Sequence, residues 1–170
     1  MNINQNAKPA PIAVDATAGQ TLSVTGGNYR ILTSGAQTGG AFATIEMLVP
    51  PGGGPPPHAH PDFHETFYVV DGEVEVKSEA GTYVAKKGAY VVIPMGGVIH
   101  SFKNKTDNLA NLLCTVVPSG LEEMFLAVGK PVQPGEFLPP PPPPDAAAME
   151  KITALAAQYG QKLYPLNYLG

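Results

Sequence analysis

From Thr21 to Val117 the chain is a series of short runs rich in β-branched and aromatic residues, most of them ended by glycine, proline or Asp-Gly. The first are TLSVT, YRILTS and AFATIEMLV, divided by Gly26-Gly27 and Gly39-Gly40. TFYVV, EVEVKS, TYVAKK, YVVI, HSFKN and LANLLCTVV follow. Runs this short, with turn signals between them, cannot make long helices and read as paired strands of an all-β sandwich or barrel. Gly and Pro number 19 each, which favours turns in the same way. A chain of 170 residues can bury one real core, so one domain is expected.

Three of the four histidines, His58, His60 and His64, fall in one short segment with Glu65. His58, His60 and Glu65 are spaced H-x-H-x4-E, and His100 follows at the end of a later apolar run. Alternate residues of a strand share a face, so His58 and His60 point the same way. Glu65 has the opposite parity, and Pro61 supplies a bend that resets the facing. Three imidazoles and one carboxylate on strands make a ligand set for a divalent transition metal. Asp71-Gly72 is a hairpin signal, with EVEVKS as the expected return strand. His64 precedes Glu65, points to the opposite face and is expected to be solvated.

These segments resemble the two motifs of the cupin superfamily. Gly52, His58, His60, Glu65 and Gly72 fill the fixed positions of the first, G-x5-H-x-H-x3,4-E-x6-G. Gly88, Pro94, Gly96, His100 and Asn104 match the second, G-x5-P-x-G-x2-H-x3-N, with one extra residue between Gly96 and His100. A turn insertion absorbs it. The resemblance implies a double-stranded β-helix, the jelly-roll cupin barrel, with short C-terminal helices. It also implies one divalent metal per chain (Fe, Mn, Ni, Cu or Zn) on His58, His60, Glu65 and His100. The first motif segment and the late helical tail are similar to quercetin 2,3-dioxygenase-like cupins. That likeness implies a dioxygenase acting on a small aromatic or enol substrate, with Glu65 as proton acceptor. The alternatives are a non-oxidative isomerase or lyase and a non-catalytic metal or small-molecule binding protein. Phe67 and Val69 share parity with Glu65, and Phe102 with His100, so the three are expected to line the pocket beside the metal.

Charge narrows the partners. Net charge is −4, and Arg30 is the single arginine. Nucleic-acid binding needs a concentrated basic surface that this chain lacks. Nucleotide sugars and polycarboxylates are usually held by arginine, so a neutral aromatic small molecule fits better. Cys114, the only cysteine, lies in the apolar run NLLCTVV and is expected to be a buried inert thiol. No stretch is long and apolar enough for a membrane span, and the N-terminus does not look like a signal peptide, so cytoplasmic residence is expected.

Residues 1–20 are expected to form an N-terminal arm, 21–118 the barrel, and 119–170 a helical and Pro-rich extension. Ser119 to Glu122 has capping-box spacing before LEEMFLAV, with Gly129 as its stop. The prolines from Pro139 to Pro144 read as a stiff spacer, and Asp145 as the cap of a helix ending at Gly160. Its stripe of Ile152, Leu155, Ala156 and Tyr159 should pack on the barrel or a second subunit. Bare strand edges and these covers point to a homodimer.

Overall fold

The computed structural model describes residues 10–139 and 141–170. The proposed N-terminal arm lies partly outside this range; its remainder is exposed chain leading into the first strand. The strands are β1 (Gln20–Val24), β2 (Gly27–Thr33), β3 (Ala43–Val49), β4 (His58–Ala59), β5 (His64–Asp71) and β6 (Glu73–Ser78). They continue with β7 (Gly81–Lys86), β8 (Tyr90–Ile93), β9 (His100–Lys103), β10 (Ala110–Val117), β11 (Lys130–Pro131) and β12 (Lys162–Leu163). The helices are α1 (Gly35–Thr38), α2 (Leu121–Val128) and α3 (Ala146–Gln158).

Two antiparallel sheets face each other as a double-stranded β-helix. One runs β11-β1-β2-β3-β10-β5-β8, the other β12-β4-β9-β6-β7. Alternation drives the packing. In β3, Ala43, Ile45, Met47 and Val49 are buried, and in β10 so are Ala110, Leu112, Cys114 and Val116, while their neighbours are partly exposed. Phe67 and Val69 of β5 and Val74 and Val76 of β6 complete the interior.

Four local expectations are corrected. Asp71-Gly72 does not close a hairpin: β5 pairs with β10 and β8, and β6 with β9 and β7, so the chain crosses between sheets at Gly72. Both flanks of β5 are already taken, leaving no edge for β6. Gly72 has φ +74°, and a Cβ there would lie 2.8 Å from the Leu109 carbonyl oxygen. The second concerns Ser119. Gly120 is the N-cap of α2, and Glu122 receives the Gly120 N–H (2.8 Å) and the Gly35 N–H (2.7 Å), tying the helix to α1. Third, Gly129 ends α2 in extended backbone, not a left-handed cap. Fourth, the tail is not only helix and proline, because β12 joins the second sheet beside β4. Asp145 does cap α3, its carboxylate accepting the Ala148 N–H at 2.8 Å.

Asn104, fully buried, shows what the last motif position does. Its amide donates to the carbonyls of Val49 (2.9 Å) and Asn108 (2.7 Å), and its Oδ1 accepts from the Thr106 N–H and hydroxyl. Its backbone pairs with Gly52 and Gly53. Asn104→Ala strands these groups and should cost about 1–3 kcal/mol. Urea unfolding measures it; an unchanged midpoint would remove Asn104 from this structural role.

Candidate metal centre

Both sheets contribute to one cluster. His58 sits on β4 with His60 just beyond it, and His58 lies opposite His100 of β9. Glu65 comes from β5 of the facing sheet. Pro61 lies where the chain passes from one sheet to the other, so the bend read from the sequence is a change of sheet. One ligand atom from each of His58, His60, Glu65 and His100 lies within 4.8 Å of the others, and all four residues are buried. The extra residue of the second motif is taken up in the turn before β9, where Gly96 and Gly97 have φ +110° and +84°.

Hydrogen bonds orient each ring. Nδ1 of His58 donates to the Pro56 carbonyl (2.9 Å), that of His60 to Phe63 (3.1 Å) and that of His100 to Val98 (3.0 Å). A carbonyl can only accept, so each Nδ1 carries the proton and each Nε2 keeps its lone pair for a ligand. The His60 and His100 Nε2 atoms lie 3.0 and 3.2 Å from Glu65 Oε2. Phe63 also stacks on the His60 ring, centroids 4.2 Å apart. Three imidazoles and a carboxylate, converging in a buried interior, fit a divalent transition ion.

The electrostatics agree. Burial raises the Glu65 pKa, but the close approach of His100 and His60, with His58 nearby, outweighs it and holds the carboxyl well below the usual range. Burial, with the charge of His100, lowers His58 to about 4. The other oxygen of Glu65, Oε1, receives the Cys114 thiol at 3.4 Å. Burial and the Glu65 charge push that thiol far up, so it stays protonated. The sequence offered no signal for this contact, since Cys114 had only its apolar run to classify it.

The remaining site expectations divide. His64 stands apart from the cluster, half-buried, its Nδ1 accepting the Met95 N–H at 3.2 Å. Phe102 lines a chamber of about 300 Å³ that includes His58 and Glu65. Phe67 and Val69 pack in the core, Phe67 edge-on to Phe102 at 5.2 Å. Sequence reasoning missed most of the chamber wall. Tyr29, Met47 and Pro55 form part of it, with Met124 and Phe125 of α2 and Leu155 of α3. The stripe on α3 thus turns toward its own barrel through Leu155 and Ala156, with Ile152 at the rim.

A pH dependence follows for the metal-free protein. His58 ionises near 4 when folded and near 6.5 when unfolded, so the unfolded chain binds the extra proton. The stability it contributes is present above pH 6.5 and falls away as pH drops toward 4, by about 3 kcal/mol. Urea titrations of chelated wild type and His58→Gln should differ in slope across that window, the variant being flatter. Parallel curves would rule out His58 as the source.

Residues 45–116 match the cupin domain family. Quercetin 2,3-dioxygenase of Bacillus subtilis (strain 168) is 26% identical over 109 residues, 64% of this chain and 32% of that protein. Germin-like protein subfamily 2 member 2 of Arabidopsis thaliana is 32% identical over 108 residues, 61% of this chain and 47% of that protein. The chain thus spans a third to a half of the length of these curated relatives. Among solved structures, a cupin-superfamily sugar phosphate isomerase from Silicibacter pomeroyi DSS-3 superposes with TM-score 0.55 at 21% identity, covering 64% of this chain and 77% of that one. An RmlC-like cupin from Shewanella frigidimarina NCIMB 400 gives 0.53 at 20%, covering 64% and 89%. The two facing sheets, the matched segment and the ligand set on it agree: residues 45–116 of this chain form a cupin domain.

Proposed function

We propose that the protein is a metal-dependent oxidoreductase of dioxygenase type, acting on a small, neutral aromatic or enol substrate. The observation that carries this reading is the placement of a buried three-histidine, one-glutamate cluster against an apolar chamber that has no lysine or arginine in its wall among the described residues. Arg30 is held on the outside, its guanidinium 2.8 Å from Glu46 and donating to the carbonyls of Asp15 and Ala18. An anionic substrate would find no charge partner in the chamber, whereas a flat apolar one buries its surface there. The likeness to the Bacillus quercetin 2,3-dioxygenase supports the same class.

A divalent ion held by His58, His60, Glu65 and His100 would supply Lewis acidity and redox chemistry toward dioxygen. The residues of the chain do the rest. Glu65 lines the chamber and is kept ionised, so it can accept a substrate hydroxyl proton. The thiol of Cys114 holds Glu65 Oε1, and the apolar wall excludes water from the carboxylate. A homodimer belongs to the proposal: β8 is an open sheet edge, and exposed Tyr90 and Val92 lie beside exposed Tyr68 and Val70 of β5. Light scattering at micromolar concentration should give twice the chain mass; a monomer mass removes it.

Purified protein should carry about one divalent ion per chain. The His58→Ala, His60→Ala double variant should lose most of it, by elemental analysis. Unchanged metal content there would end the metal reading.

Reconstitution with Fe, Mn, Ni or Cu, followed by oxygen uptake on flavonols, catechols and 1,3-diketones, tests the reaction. Glu65→Gln should keep a substantial share of metal but lose most turnover, while His64→Ala keeps both. Absence of uptake by wild type with every metal and substrate would favour the isomerase or binding-protein alternatives.

A further inference from the structure

The chamber has two polar side chains that nothing above employs. Apart from the ligands His58 and Glu65 and the exposed rim residue Thr25, its polar lining is Tyr29 and Gln161. Tyr29 is 5% exposed and Gln161 7%. Among the described residues, neither the Tyr29 hydroxyl nor the Gln161 amide is paired with another protein group, and neither is among the sealed, unpaired polar atoms, so both are polar groups open to the cavity they border. Buried polar groups are nearly always paired, because stranding one costs more than an apolar replacement of the same shape.

Packing alone does not account for the tyrosine. Its ring sits edge-on to Phe125, centroids 5.2 Å apart, where a phenylalanine ring would fit equally. Gly27 makes room for it: a Cβ at that position would lie 2.7 Å from Tyr29 Cε1. Burial, with the charge of Glu65, keeps the phenol neutral, so its O–H is available as a donor. Gln161 approaches from elsewhere. It follows α3, its N–H bonded to the Ala156 carbonyl at 2.9 Å, and precedes β12, whose Leu163 lies opposite His58. One group thus comes from the seven-stranded sheet, the other from the C-terminal segment beside the five-stranded one.

We infer that Tyr29 and Gln161 are the substrate-positioning groups of the chamber, hydrogen-bonding oxygen atoms of a neutral polyoxygenated aromatic or enol ligand whose reacting oxygen faces His58 and Glu65. This rests on the substrate class proposed above. A tyrosine hydroxyl donates one hydrogen bond, and a glutamine amide both donates and accepts, so a ligand with hydroxyl or keto oxygens beyond its reacting end satisfies both. A volume of about 300 Å³ is at the small end for ligand pockets, which limits the ligand to a few fused or linked rings.

The test uses quercetin as probe and flavonol lacking the extra ring hydroxyls as control, titrated anaerobically by calorimetry into metal-loaded wild type, Tyr29→Phe and Gln161→Leu. Each variant should bind quercetin about fivefold or more weakly, as loss of one hydrogen bond implies, with less effect on the control. Metal content should be unchanged, and the urea midpoints equal to or above wild type, since the group removed has no partner among the described residues. Quercetin binding equal in wild type and both variants overturns this inference and leaves the proposed function standing. A lowered urea midpoint in Tyr29→Phe also overturns it, because the hydroxyl then serves the fold. If wild type binds neither probe, the inference and the substrate class fall together.

Discussion

The structure is organised around four polar side chains held between two sheets where water is excluded. Burying an ionised carboxylate and three imidazoles is unfavourable unless every proton and lone pair is accounted for. Here each Nδ1–H is given to a nearby carbonyl, Oε1 of Glu65 takes the Cys114 thiol, and Oε2 turns to the imidazoles. Because the histidines hang from one sheet and Glu65 from the other, the spacing of the cluster is set by how the sheets pack. The residues behind them, such as Phe67, Phe102, Leu112 and Val69, therefore determine the site as much as the ligands do.

What was legible in the sequence was what depends on period and local spacing. The strands announced themselves because inward and outward residues alternate, as in Ala43–Val49 and Ala110–Val117. The ligands were legible because H-x-H-x4-E and a later histidine are enough to name donors without knowing which sheet holds them. The failures share a cause. Asp71-Gly72 is a sound local turn signal, but whether a turn makes a hairpin depends on which edges of β5 are free, and β10 and β8 occupy both. Strand β12 is two residues long and has no pattern until β4 offers it an edge. Tyr29 looked like any core aromatic, and Gln161 like any polar residue after a helix; only the cavity beside them makes their hydroxyl and amide conspicuous.

The C-terminal segment, whose α3 stripe was expected to pack on the barrel or a second subunit, turns Leu155 and Ala156 toward its own barrel. Leu121, Met124 and Phe125 of α2, Leu155 and Ala156 of α3, and Leu163 of β12 close the side of the barrel next to His58. Without this wall the ligand cluster would open to water, and the burial that keeps His58 neutral would be lost.

This division has a consequence for how far kinship can speak. The family match covers residues 45–116, which contain all four metal ligands and Phe102. Tyr29, α2, α3 and Gln161 lie outside it. The family-matched segment therefore holds the whole candidate ligand set, while the chamber is walled from both sides of its boundary: Met47, Pro55 and Phe102 lie within it, Tyr29, Met124, Phe125, Leu155 and Gln161 outside. A cupin barrel with the same ligands but another roof would present a different volume and different hydrogen-bonding groups to the same ion. Tyr29 and Gln161, the groups proposed to position the ligand, thus lie in segments that the family match does not reach.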